Sequence, residues 1–168
     1  SEILARPVVY NNNMVLVRTA DGQILGVDIE TGRINWNYSK TIPALTLRGS
    51  SSPILSRSHF YTGLESGRLI AMSRSDGEVA WDIALTVPEG RSEIQRLVDI
   101  DGKSELYGRV LYAASYHGRI AAIDVTRGQF LWARSFSSNT GVSVGTDAVY
   151  SSDDRSHVWA RDRNNDAP

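Results

Sequence analysis

His117-Gly118-Arg-Ile-Ala-Ala-Ile-Asp124-Val-Thr-Arg-Gly128-Gln-Phe-Leu-Trp132 reads as a turn, an apolar strand, a second turn and an outer strand ending in tryptophan. The same template occurs twice more. Asp21-Gly22-Gln-Ile-Leu-Gly26-Val-Asp28-Ile-Glu-Thr-Gly32-Arg-Ile-Asn-Trp36 and Ser66-Gly67-Arg-Leu-Ile-Ala71-Met-Ser73-Arg-Ser-Asp-Gly77-Glu-Val-Ala-Trp81 keep the spacing without a slip. Gly22 to Trp36, Gly67 to Trp81 and Gly118 to Trp132 each span fourteen residues, while the copies themselves lie 45 and 51 residues apart. A fourth copy starts near Ser156 and keeps Val158, Ala160 and Asp162, but the sequence stops before its tryptophan is due. Trp159 is therefore a strand residue outside the tryptophan series.

A repeat of this length, built from short runs with period-two alternation and Gly/Asp turns, specifies propeller blades rather than a helical solenoid. No segment carries a helical period, so the expected class is all-β: four-stranded antiparallel blades occupying residues 1–40, 52–85 and 106–136, with a partial blade over 141–163. The first blade is expected to hold strands over 6–10, 14–19, 23–28 and 33–38, separated by Asn-rich, Asp-Gly and Thr-Gly turns whose glycines supply positive φ. A twisted sheet cannot bury both faces alone, so the recurring indole is expected to seal each blade against the next. Gly32, Gly77 and Gly128, with Trp36, Trp81 and Trp132, form that expected docking set. A ligand-stacking or catalytic aromatic would not recur at one strand position in every copy.

Composition bounds the function. With 41% hydrophobic and 22% charged residues and a formal charge of −1, the chain has an ordinary globular composition and no electrostatic case for nucleic acid. The absence of cysteine excludes disulfides, thiolate metal sites and thiol nucleophiles. There is no run of eighteen apolar residues, and Ser1-Glu-Ile-Leu has neither an initiator methionine nor a signal-peptide profile, so a processed or trimmed piece of a longer protein is expected. Propellers close with four to eight blades. About four of an expected eight are present, and the open array is expected to self-associate or aggregate through its end faces.

Catalytic signatures do not assemble. His59, His117 and His157 are scattered through different blades without ligand spacing. Ser50-Ser51-Ser52 and Ser151-Ser152 lack the setting of an esterase nucleophile, and no Gly-rich phosphate loop is present. Asp99-Ile-Asp101-Gly102-Lys-Ser-Glu105 lacks the third early acidic ligand of a calcium loop and reads better as a hydrogen-bonded turn. No metal and no cofactor are therefore expected.

The segments that break the repeat carry more. Thr41-Ile-Pro-Ala-Leu45-Thr-Leu47-Arg48-Gly49 follows the first blade, and the longest connection, from Val87 to Gly102, follows the second. Each joins an outer strand to the next inner strand, so in a ring both emerge on one face from neighbouring blades. Leu45 and Leu47 beside Arg48, facing Asp99 and Asp101 beside Leu97, combine an apolar patch with charged anchors, the composition of a protein-binding hot spot, and Arg96 is counted with them as partner-binding. Pairing of Arg48 with a neighbouring carboxylate and burial of the leucines as loop anchors is the bland alternative.

The pattern Ala122-x-Asp124-x-x-x-Gly128-x-x-x-Trp132 resembles the tryptophan-docking repeat of the quinoprotein (PQQ dehydrogenase-like) propellers, with Gly26 and Ser73 as departures in the first two copies. The two connections, with the rest of the chain, resemble more narrowly a family of propeller lipoproteins of the bacterial outer-membrane β-barrel assembly machinery. That resemblance implies eight blades, a lipid anchor outside this sequence, and a place on the periplasmic face of the outer membrane. It implies docking on the periplasmic POTRA domains of the central barrel subunit through Leu45, Leu47, Arg48, Asp99 and Asp101. It also implies a non-catalytic role in folding and insertion of β-barrel proteins, with unfolded outer-membrane proteins as further partners through strand addition. The quinoprotein enzymes offer the competing expectation, a quinone-dependent dehydrogenase or a degenerate relative.

Overall fold

Turn chemistry and alternation place fifteen strands in four antiparallel meanders. The computed structural model describes residues 3, 6–11, 13–19, 21–39, 52–64, 67–86, 100, 102–138 and 140–165. The first sheet runs β1 (Val8–Tyr10), β2 (Met14–Arg18), β3 (Gln23–Asp28), β4 (Ile34–Ser39). The second runs β5 (Ile54–Leu55), β6 (His59–Gly63), β7 (Arg68–Ser73), β8 (Val79–Ala84). The third runs β9 (Glu105–Tyr107), β10 (Val110–Ala114), β11 (Gly118–Asp124), β12 (Gln129–Phe136). The last has β13 (Val142–Val144), β14 (Ala148–Ser152) and β15 (Val158–Asp162). In every sheet spatial order equals chain order, the arrangement of a propeller blade. Among the described residues no helix is long and apolar enough to cross a membrane.

The fixed fourteen-residue spacing has a local cause. The turn after β3 is closed by an aspartate that receives backbone N–H bonds: Thr31 N to Asp28 Oδ1 at 2.7 Å, and Thr126 N to Asp124 Oδ1 at 2.8 Å. Asn164 N donates to Asp162 Oδ1 at the same distance in the last blade. Ser73 takes over in the second blade, where its hydroxyl accepts from Ser75 N at 3.3 Å and Asp76 adds a bond from Glu78 N. A glycine at positive φ then reverses the chain, at Gly32, Gly77 and Gly128. The outer strand that follows this turn bulges at one place in all three complete blades, just past the pairs Gly26 with Trp36, Ala71 with Trp81 and Ala122 with Trp132.

Those pairs belong to cross-strand triads on one face of each sheet. Tyr61, Ala71 and Trp81 lie directly opposite one another, as do Tyr112, Ala122 and Trp132. The small middle residue lets the two rings meet over it, with centroids 5.7 Å apart in the second blade and 6.1 Å in the third. The first blade reads Leu16, Gly26, Trp36. There the indole folds down onto the neighbouring strand of its own sheet: a Cβ on Gly26 would lie 2.3 Å from the ring. It stacks instead on Phe60 of the second blade, at 5.7 Å and 11°. Its N–H is buried beside the Tyr10 hydroxyl, outside good hydrogen-bond geometry.

Each indole reaches the next blade. Trp81 donates from Nε1 to Val125 O at 2.8 Å and lies on Gly128, where a Cβ would come within 2.5 Å of the ring. Trp132 donates to Arg163 O at 3.1 Å. Trp36 covers Gly77, leaving 2.4 Å to an added Cβ. Gly32 faces open space, with no indole against it among the described residues. Behind these contacts sit three separate apolar clusters, one per seam: Leu16, Ile24, Phe60, Ile70 and Met72 between the first two sheets; Leu69, Ile100, Leu111 and Ile123 between the next two; Ile120, Val142 and Val149 at the last. The core is therefore distributed along the array rather than central, as a one-dimensional stack requires.

A second device crosses two of the seams. The residue after the β3-type aspartate is Arg74 in the second blade and Arg163 in the fourth. Arg74 donates to Asn11 Oδ1 at 2.7 Å in the first blade and to Ser56 O at 2.5 Å in its own, with its guanidinium 5.3 Å from the Tyr10 ring. Arg163 sits 4.0 Å over the Tyr107 ring of the third blade. These are cation–π contacts, each holding one blade to the one before it.

Trp81→Ala is expected to lower the unfolding free energy by about 3–5 kcal/mol, since it removes a ring stack, a seam and a hydrogen bond; a nearly neutral result in denaturant titration would remove the docking argument. Gly26→Ala is expected to cost about 1–3 kcal/mol by displacing the Trp36 ring, although the same substitution is already present in the second and third copies. Asp28 is held below the usual carboxylate range by the Thr31 hydroxyl and backbone N–H, and Asp124 chiefly by the Thr126 backbone N–H. A depressed folded-state value means that the stabilisation is complete above the unfolded carboxylate value of about 3.9 and is lost as pH falls through the lower folded one. Thermal midpoints should therefore hold from neutral pH to about pH 5 and drop below about pH 4, with a shallower drop in Asp28→Asn/Asp124→Asn.

Candidate docking surface

The residues singled out from sequence as a partner-binding patch, Leu45, Leu47, Arg48, Arg96, Asp99 and Asp101, lie outside the described residues. The two ends of the longer connection are described. Leu85 follows β8, is fully buried, and donates its N–H to Gly67 O at 3.0 Å. Thr86 donates to the same carbonyl at 3.2 Å, and its hydroxyl meets Ser115 Oγ of the third blade at 2.7 Å. No side chain could be added to Gly118 there, where a Cβ would approach Thr86 Oγ1 to 2.0 Å.

On the return side, Ile100 is fully buried in the same cluster as Leu85, pressed against Gly63, where an added Cβ would lie 2.5 Å from the isoleucine Cβ. Gly102 follows, its backbone against Gly141, and Lys103 forms a parallel bridge to Gly141. Glu105 then accepts from Val144 N at 3.0 Å, while Lys103 lies 3.8 Å from the same carboxylate. Both stems of the connection over 87–99 are thus rooted in the core between the second and third blades. The sequence reading had placed Ile100 inside the connection. Its burial as a core residue was legible only as a lone apolar residue between two aspartates, a weak signal without the fold.

The shorter connection leaves from Ser39 at the end of β4 and returns at Pro53, which is buried before β5. Near the exit of β8, Arg68 and Asp82 form an ion pair at 2.7 Å, partly exposed, with Arg68 Nη2 also donating to Asp82 O at 3.2 Å. This pair is consumed within one blade and fixes β7 against β8 rather than presenting charge.

The histidines stay apart. His117 is exposed at positive φ in the turn before Gly118, its ring 3.8 Å from that of Tyr116. His59 Nδ1 contacts Ser58 Oγ at 2.8 Å. His157 Nδ1 lies 3.0 Å from Asp153 Oδ2, which also accepts from Trp159 Nε1 at 3.0 Å. That indole bond, with backbone N–H bonds from His157 and Arg155, holds the Asp153 carboxyl well below its usual range. It is a turn-closing network, and it explains why Trp159 stands outside the docking series. Among the described residues no three His, Asp or Glu side chains gather as a metal site.

Comparison with known proteins follows the same lines. A family model described as outer membrane protein assembly factor BamB matches residues 1–168. The assembly factor BamB of Alkalilimnicola ehrlichii is 40% identical over 126 residues, covering 75% of this chain and 33% of that protein. Among solved structures, BamB from Moraxella catarrhalis superposes with a TM-score of 0.89 at 31% identity, over 98% of this chain and 50% of its own. Quinohemoprotein alcohol dehydrogenase from Comamonas testosteroni matches at a TM-score of 0.63 and 21% identity, over 80% of this chain and 21% of its own, a likeness of fold alone. The chain spans about a third of the length of the first of these relatives and half of the Moraxella structure. With the family model matched from end to end and the blades superposed on a solved member, the chain belongs to the family of outer membrane protein assembly factor BamB.

Proposed function

We propose that this chain is a non-catalytic accessory part of the machinery that assembles outer-membrane β-barrel proteins, acting as a scaffold that docks on the periplasmic POTRA domains of the central barrel subunit. The observation that carries the reading is the match of the whole chain to the assembly-factor family. The rooting of both stems of the 87–99 connection in one inter-blade core supports it, because a binding loop held at both ends loses less conformational freedom on docking. Leu45 and Leu47 would fill an apolar depression on the partner, with Arg48, Arg96, Asp99 and Asp101 setting orientation by charge. Unfolded outer-membrane proteins would add as strands to exposed blade edges. The location is the periplasmic face of the outer membrane, through a lipid anchor outside this sequence.

Titration calorimetry of the protein with soluble POTRA domains tests the reading. Arg48→Glu is expected to abolish binding while leaving the unfolding transition unchanged, because a rim loop carries little of the core. Asp99→Ala/Asp101→Ala is expected to weaken binding by at least about tenfold. Loss of the folded state in Arg48→Glu would make that residue structural, and unaltered binding in both variants would move the docking surface elsewhere.

A further inference from the structure

The seam between the second and third blades lacks the tyrosine–arginine bridge that crosses the other two. In register, Tyr10 of the first blade corresponds to Ser56 of the second and Tyr107 of the third. Arg74 and Arg163 correspond to Val125. Both members of the bridge are therefore small at one seam, Ser56 for the ring and Val125 for the guanidinium. The space they leave is a cleft of about 590 Å³, walled by Tyr61, Trp81 and Leu106 and opening between Ser56 and Val125.

Three guanidinium groups stand around this opening: Arg57 from the β5–β6 turn, Arg109 from the β9–β10 turn and Arg127 from the β11–β12 turn. All three residues are exposed. Arg109 donates to Thr126 Oγ1 at 3.0 Å and feels the carboxylate of Asp124. Arg57 and Arg127 form no ion pair among the described residues. Among the described residues no carboxylate lines the cleft, and His59 is one of its lining residues. The Trp81 indole N–H is already used by Val125 O, so Trp81 offers the cleft apolar contact rather than a hydrogen bond. Ala80 and Trp81 belong to β8, the outermost strand of its sheet, which among the described residues pairs with β7 alone and so offers unpaired backbone groups alongside.

We propose that this cleft binds a short acidic peptide segment of a partner protein, seating an aromatic side chain in the space left by the missing bridge and pairing its flanking carboxylates with Arg57, Arg109 and Arg127. The ring fills a volume that a tyrosine occupies at the neighbouring seams and rests against Trp81. Guanidinium groups suit the carboxylates because they bind them with paired, charge-assisted hydrogen bonds. The free edge of β8 favours an extended peptide over a small anion, since it supplies backbone partners that a phosphate could not use in series. The site opens at the strand ends opposite those from which β8 runs out toward 87–99.

Calorimetric titration with a blocked glutamate–tyrosine–glutamate tripeptide, followed also by Trp81 fluorescence, tests the assignment. The glutamine–tyrosine–glutamine and glutamate–alanine–glutamate analogues are expected to bind at least about tenfold more weakly, and inorganic phosphate not to compete. Ser56→Tyr/Val125→Arg rebuilds the bridge and is expected to abolish binding with an unchanged or raised thermal midpoint. Arg57→Ala/Arg127→Ala, at exposed positions, is expected to reduce affinity by at least about tenfold without disturbing the fold. No binding of the tripeptide, equal binding of the alanine analogue, full competition by phosphate, or undiminished binding in a folded bridge-restored or arginine-deleted variant would each overturn the proposal.

Discussion

The structure depends on an indole from one blade resting on the positive-φ glycine of the next. At Gly77 and Gly128 there is no room for a Cβ, so the turn and the ring define each other. The glycine permits a backbone reversal that other residues resist, and it also lets the ring approach the main chain closely enough for Trp81 to donate to Val125 O. A single contact thereby couples the conformation of a tight turn, the twist between sheets and the burial of an apolar cluster. Because each contact involves only neighbours, the array is stabilised seam by seam, and no residue needs to act across the whole molecule.

This coupling explains which substitutions the repeat absorbs. The alanine in the middle of the triad becomes Gly26 in the first blade, and the tyrosine becomes Leu16 in the same blade. The ring then has no stacking partner within its own sheet, drops over the glycine, and finds Phe60 across the seam. The aromatic contact is retained while its owner changes. In the second blade Ser73 replaces aspartate, and a hydroxyl with the adjacent Asp76 closes the same turn. Drift is tolerated where another group can supply the same geometry, and the Gly-to-Trp spacing itself does not drift because a bulge at one register point sets it.

The fold was legible because these constraints are local and periodic. Glycine, aspartate and tryptophan at fixed offsets specify turn, cap and seam before any long-range contact is known, and the strand Gln23–Asp28 falls at the limits that alternation alone predicts. The site was legible only in part. The connections stood out because they break the period, but the residues that root them, Leu85 and Ile100, read as ordinary apolar positions until the second and third blades are packed. The cross-seam Tyr10–Arg74 and Tyr107–Arg163 pairs were missed for a different reason. Their members are more than fifty residues apart in sequence. Only the register shows that they occupy equivalent places.

In such an array, function has to sit where the template is broken. Trp81 and Trp132 spend their indole N–H groups on the next blade, Gly77 and Gly128 each carry an indole, and Asp28 and Asp124 close their own turns, which leaves those groups unavailable for a ligand. Two kinds of departure free surface for other use. An insertion such as 87–99 adds residues beyond the repeat template, while its stems are held by Leu85 and Ile100. A paired deletion of bulk, Ser56 and Val125 in place of a tyrosine and an arginine, withdraws a seam contact and leaves a cleft with exposed guanidinium groups at its rim. The second blade tolerates this loss because Trp81 keeps both its stack on Tyr61 and its bond to Val125 O. The seam with the most intact indole contact is thus the one that can give up its bridge, and stability at one point of the seam makes room for recognition at another.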